Sequence, residues 1–163
     1  MPSTADEAAP GLAPGTSEVL QAATRVLAGV ALRSLDVLDA AVSLPQFRLL
    51  AVLSDLGPVP SGQAARTLGL DRSTVTRLAD RMVGAGYAVR GTDPRHRGVV
   101  TLELTASGRE LVAAADGWRR QELARIMARL APDEQATVTA ALSLLVSAAG
   151  EDYGVTARRP VPL

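Results

Sequence analysis

The sequence predicts a mainly α-helical fold interrupted by one two-stranded β-hairpin, and three observations carry that expectation. Hydrophobic residues make up 47% of the chain but aromatics only 2%, so the core must be built from Leu, Val and Ala, which favours helices. Apolar residues recur at helical spacing through most of the length. One stretch, Tyr87–Arg90 and Val99–Leu104 around the turn-rich GTDPRHRG at 91–98, switches to strand character. At 163 residues and 16.9 kDa the chain suits one domain with tails.

Taken in order, residues 1–15 hold Pro2, Pro10, Pro14, Gly11 and Gly15 and read as a tail. From Ser17 to about Val42 no Pro intervenes, and Val19, Ala23, Val26 and Val30, with Leu20, Leu27, Leu35 and Leu38 alongside, predict one long helix with a wide apolar face. Ser43 with Gln46 has capping-box spacing, and Pro45 fits a first turn. Phe47, Leu50, Leu53 and Leu56 would be that helix's buried side, and Gly57-Pro58 its end. Ser61 would cap a short third helix holding Ala64, Ala65 and Leu68, with a break at Gly69-Leu70. Asp71 would cap a fourth, with Val75, Leu78, Ala79, Met82 and Val83 on its apolar stripe and Gly84 and Gly86 as positive-φ stops. After the hairpin, a helix from Thr105 to about Leu130 carries Leu111, Ala115, Trp118, Ile126 and Leu130 on one side. Pro132, followed by Asp133 and Glu134, opens a last helix with Val138, Leu142, Leu145 and Ala149 as its stripe and Gly150 as its close. The division expected is tail 1–15, N-terminal helix 16–42, central lobe 43–104, C-terminal helices 105–150 and tail 151–163.

Composition excludes several chemistries. Without cysteine there is no disulfide scaffold, thiol nucleophile, thiolate metal site or cysteine redox switch. All 17 basic residues are Arg, which removes Schiff-base and phosphate-loop lysine chemistry. No nucleophile stands with a base and no metal-ligand spacing occurs, so neither an enzyme nor a cofactor is expected. Apolar runs fall short of the ~18–20 residues of a membrane span. Asp6 and Glu7 sit where a signal peptide would be basic, so a cytoplasmic protein is expected.

The 17 basic and 17 acidic side chains cancel, which argues superficially against a nucleic-acid partner. Residues 61–98, however, hold seven Arg against three acids, a net +4, and the remainder carries −4. Within that basic stretch lies a helix-turn-helix whose second helix turns Arg72, Ser73, Thr74, Thr76, Arg77, Asp80 and Arg81 away from its apolar stripe. Arg suits guanine O6 and N7, while Ser and Thr suit phosphates or a thymine methyl. The hairpin adds Arg90, Arg95, His96 and Arg97, within reach of a minor groove or backbone. Candidate DNA contacts are therefore Ser61, Arg72, Ser73, Thr74, Thr76, Arg77, Arg81, Arg95, His96 and Arg97. Each has a plainer alternative: an Arg-bearing helix face is commonly just solvated, and Asp80 either orients Arg77, Arg81 or a wing Arg or merely faces water. His96, the lone histidine, suits no metal site. Asp133 and Glu134, being adjacent, complement a helix dipole rather than form a catalytic pair.

LPQFRLL at Leu44–Leu50, GQAARTLGLDRSTVTRLADRMVGAGYAVR at Gly62–Arg90, DPR at Asp93–Arg95 and VTLELTASG at Val100–Gly108 together resemble the MarR family of winged-helix transcriptional regulators. The resemblance implies a winged helix-turn-helix lobe whose wing is the hairpin, flanked by N- and C-terminal dimerisation helices, and a homodimer on a palindromic operator in double-stranded DNA. Residue by residue it assigns Ser73, Thr74, Thr76 and Arg77 to the recognition helix and Arg95 and Arg97 to the wing. His96 and Gly98 depart from a D-P-R-D-R-R wing. It also implies a small aromatic or apolar effector between lobe and dimer helices, for which Arg33, Arg48 and Trp118 are candidates beside plain surface or core roles. Two functions are thus expected: a dimeric ligand-responsive repressor, or a winged-helix interaction module, adaptor or antagonist of a regulator, that does not read DNA sequence.

Overall fold

The computed structural model describes residues 11, 13–38, 42–93, 96 and 98–150, together with the backbone of 155–156 and 159–160. Its order is α1 (Thr16–Arg33), α2 (Leu44–Leu56), β1 (Val59–Pro60), α3 (Ser61–Leu68), α4 (Arg72–Gly84), β2 (Ala88–Thr92), β3 (Val100–Leu104), α5 (Ala106–Met127) and α6 (Pro132–Ala149). Beyond α6, in the stretch expected to be a tail, the backbones of β4 (Val155–Thr156) and β5 (Arg159–Pro160) pair antiparallel. Among the described residues no helix is long and apolar enough to cross a membrane.

The core gathers around α2. Phe47, Leu49, Leu50, Val52 and Leu53 are all buried, so this helix is enclosed on more than the one face that its periodicity marks, and Leu56 lies outside the core. Ala64, Ala65 and Leu68 of α3, Val75, Leu78, Ala79 and Met82 of α4, Leu102 and Leu104 of β3, and Val112 and Ala115 of α5 close over it. Ser43 caps α2 in an extended conformation, its backbone N–H donating to Gln46 Oε1 at 2.7 Å, as the capping-box spacing predicts.

The sheet differs from the expected two-stranded hairpin. It has three antiparallel strands in the order β1-β3-β2, because Val59 and Pro60 pair with Leu102 and Thr101. Pro at an edge costs no needed ladder bond, and two residues give no periodicity to read. This pairing holds Pro60 extended as the N-cap of α3, so Ser61 is the first helical residue rather than the cap. β2 also runs to Thr92, pairing Gly91 with Thr101 and Thr92 with Val100, which shortens the loop below the expected eight residues.

The long N-terminal helix expected to Val42 stops at Arg33. Bonds there tighten to three-residue spacing, Leu35 N–H to Leu32 O, Asp36 to Arg33 O and Leu38 to Leu35 O. The tighter path sets Leu38 and Val42 into the core cluster with Leu35 against it. No Pro or Gly marks the break, so local sequence gives no sign of it.

The joint between wing and C-terminal helices explains the spacing of Leu104, Thr105 and Gly108 in VTLELTASG. Thr105 is the N-cap of α5: its Oγ1 accepts from Gly108 N–H at 3.0 Å and donates to Gly86 O at 2.7 Å, while its own N–H donates to Tyr87 O at 3.1 Å. Gly108 is buried, and a Cβ there would fall onto the Tyr87 carbonyl. α5 ends at Met127 rather than Leu130, since Arg129 and Leu130 close on the carbonyls of Ile126 and Met127.

Gly→Ala inside a helix ordinarily stabilises by about 1 kcal/mol. At Gly108 the sign reverses: Gly108→Ala destabilises by about 1–3 kcal/mol, as overpacked sites do, measured as a lowered urea midpoint.

Candidate nucleic-acid interface

The turn between α3 and α4 is set by Gly69 at φ 65, where Leu70 N–H bonds Ala65 O and Gly69 N–H bonds Arg66 O, a Schellman stop. α4 ends the same way: Gly86 at φ 79 has its N–H on Val83 O, and Tyr87 N–H reaches Met82 O. Gly84 keeps helical geometry as the last residue of α4 and is not the positive-φ stop that the sequence suggests.

Asp71 caps α4. Its Oδ1 accepts from Thr74 N–H at 2.8 Å and Ser73 Oγ at 2.6 Å, and its Oδ2 accepts from Thr74 Oγ1 at 2.7 Å. These bonds, Ser73's foremost, hold the carboxyl well below the ordinary carboxylate range. Thr76 Oγ1 donates back to Arg72 O at 2.8 Å. The three hydroxyls on the outward face thus have their protons committed within the helix, leaving lone pairs and methyl groups for a partner.

Because α4 turns Val75, Leu78, Ala79 and Met82 inward, Arg72, Ser73, Thr76, Arg77 and Arg81 are exposed, with Thr74 half-buried. Arg77 Nη2 reaches Thr74 Oγ1 at 3.4 Å, extending a chain that starts at Asp71. Arg72 lies over the start of α3, 3.2 Å from where a Gly62 side chain would begin. There it lines a cavity of about 300 Å³ with Ser61, Gln63, Arg66 and Val100. Arg77 and Arg81 line another of about 200 Å³ with Thr74 and Leu78. Among the described residues none of Arg72, Arg77 and Arg81 is paired with a carboxylate.

Asp80 meets Arg90 of β2 at 2.6 Å, so of the arginines considered for it the wing's strand residue is the partner, and α4 is tied to the wing. His96 Nδ1 lies 3.4 Å from Asp93 Oδ2 in the wing loop. Arg95 and Arg97 lie outside the described residues. Gln63 and Arg66 join this face although sequence reading names neither as a contact, Arg66 entering only through the +4 count, whereas Arg90 is already expected on the hairpin.

The three ligand candidates have separate surroundings. Arg33 is exposed at the end of α1. Arg48 is half-buried, its Nη2 3.5 Å from Leu68 O and its Nε without a partner among the described residues, so it fastens α2 to the end of α3. Trp118 is half-buried on α5. None of the three lines the cavities above. The arginine that bridges elements at the junction is Arg119, which sequence reading passes over because its partners lie far off in the chain.

Residues 42–97, from just before α2 to the loop that follows β2, match the model of the MarR family. The chain is 39% identical over 61 residues to the uncharacterized HTH-type transcriptional regulator YcgE of Bacillus subtilis, 37% of this chain and 40% of that one. The matched stretches span less than two thirds of the curated relatives' own lengths. A MarR family protein from Bacillus stearothermophilus shares the fold, at 24% identity and TM-score 0.70 over 79% of this chain and 89% of that one. The crystal structure of RV1404 from Mycobacterium tuberculosis superposes with TM-score 0.79 at 34% identity, covering 92% of this chain and all of the other. A family match over residues 42–97, joined to a likeness at this identity over nearly the full length, makes the chain a member of the MarR family.

Proposed function

We propose that the protein is a sequence-specific DNA-binding transcriptional regulator, a homodimeric, ligand-responsive repressor acting in the cytoplasm on a palindromic operator. The observation that carries this reading is the outward face of α4: three guanidiniums on one helix, none neutralised by a carboxylate among the described residues. Such a face is self-repelling unless it meets a polyanion. Its geometry suits the major groove, with Arg77 as the base reader, Arg72 and the start of α3 at Ser61 toward the backbone, and the wing beside them. Arg95 and Arg97 in the wing are proposed as minor-groove or phosphate contacts, with His96 between them.

The dimer is supported by what α1 and α6 leave uncovered. No residue of α6 is buried, and Leu142, Leu144, Leu145 and Val146 are exposed on it. α1 buries only Val30 and exposes Val19, Leu20, Val26, Leu27 and Leu32. Eighteen-residue helices have little stability unless they pack, so a second copy covers these faces. Two recognition helices must then lie about one helical turn, roughly 34 Å, apart to read both half-sites. A small aromatic or apolar effector binding between lobe and frame would favour another spacing and release the DNA, by differential affinity for the two states.

Affinity for the DNA upstream of its own gene should fall with salt at a log–log slope of about −0.9 per phosphate neutralised. A flat response, or equal affinity for scrambled DNA, would instead favour the interaction module. Arg77→Ala should cost about 1–3 kcal/mol on the operator and little on unrelated DNA. Equal losses on both would make Arg77 a phosphate anchor.

In sedimentation at micromolar concentration the protein should run at twice 16.9 kDa. Leu144→Glu, which puts a charge on the barest apolar position of α6, should return it to a monomer. A wild-type species at 16.9 kDa contradicts the dimer.

A further inference from the structure

α5 leaves the lobe core after Ala115, and one turn further on stands Arg119. Its guanidinium carbon lies 5.1 Å from the ring centre of Phe47 in α2, which is wholly buried. Its Nε donates at 2.8 Å to Ser34 Oγ, at the point where α1 ends. Ser34 is itself fully buried, and its hydroxyl donates onward to Ala31 O at 2.6 Å, so its one proton is committed and its oxygen is left to accept from Arg119. Asp116 accepts from Nη1 at 3.3 Å, and Nη2 is buried with no partner among the described residues. One side chain therefore touches the end of α1, the centre of α2 and its own helix α5.

This arrangement is a poor way to gain stability. Burial disfavours the charge, one nitrogen is left unsatisfied, and an apolar side chain of similar volume often does as well at such a place. What a planar fork provides over an apolar filler is direction: stacking fixes the plane of the guanidinium, and the Ser34 bond fixes its rotation within that plane. Lys offers neither.

We propose that Arg119 is a positioning residue for DNA binding: held on Phe47 and Ser34, it sets the angle at which the lobe of α2–α4 joins α1 and α5, and through that angle the separation of the two recognition helices in the dimer. The inference rests on the regulator and dimer reading above. It concerns a residue that touches no DNA and lies on none of the three elements carrying the interface.

The test uses the full chain as wild type, Arg119→Met and Ser34→Ala, the last removing a single hydroxyl should the Met variant fail to fold. Since the chain has no cysteine, Thr67→Cys on the exposed side of α3 gives one spin label per copy. Pulsed electron paramagnetic resonance should show a narrow inter-copy distance in the wild type. In both variants the distribution should broaden about twofold, with thermal unfolding little changed. Duplexes selected by the wild type from a random pool are then remade with one base pair added or removed between half-sites. The wild type should discriminate against the altered spacings, and the variants should lose about tenfold of that discrimination.

Unchanged distance distributions overturn the proposal, as does an affinity loss equal at all spacings, which would make Arg119 a stabilising residue only. Failure of the wild type to bind any DNA sinks the regulator reading, while the distance measurement still decides what Arg119 does. Absence of any inter-copy distance refutes the dimer and the proposal together.

Discussion

Enclosure of α2 is the constraint on which the rest of the structure depends. The chain has a single Phe, and it sits fully buried on that helix with Leu49, Leu50, Val52 and Leu53 around it. Packing of α3, α4, α5 and β3 around α2 lets a chain so poor in aromatics build one continuous core. Each of those elements must give α2 its apolar face and can give the outside only its polar one. For α4 this means that the same burial of Val75, Leu78, Ala79 and Met82 that completes the core presents Arg72, Arg77 and Arg81 together.

The interface is then refined by local bonds rather than made by them. Asp71 ties the start of α4 and engages two hydroxyl protons, and Asp80 joins that helix to β2. Both are acidic residues within the basic stretch, and both act on arginine-bearing elements as orienters. The zero net charge of the whole chain hides this division, since +4 lies within residues 61–98 and −4 outside them. A neutral sum therefore says little about the face that meets a partner.

Legibility followed the range of the interaction. Ser43 with Gln46, the turn at Gly69, Asp71 as a cap and the stripe of α4 are all signals within a few residues, and each was readable. The end of α1 was not, because nothing at Ser34 breaks a helix; the chain turns there to send Leu38 and Val42 into a core made elsewhere. β1 was invisible for the same reason, its partners Thr101 and Leu102 lying some forty residues on. The Arg119–Ser34 bond spans 85 positions, and no window over the sequence could connect them. Sequence offers Asp80 several arginines, and the fold pairs it with Arg90.

On the proposed function, DNA binds the face built by α3, α4 and the β2–β3 wing, and not the bare apolar faces of α1 and α6. Amide hydrogen exchange of the full chain with and without a pool of duplex DNA measures this directly. Slowed exchange is expected within residues 61–84 and 88–104, with α6 unchanged by DNA. Protection confined to α1 and α6, or none at all at saturating DNA, would contradict it.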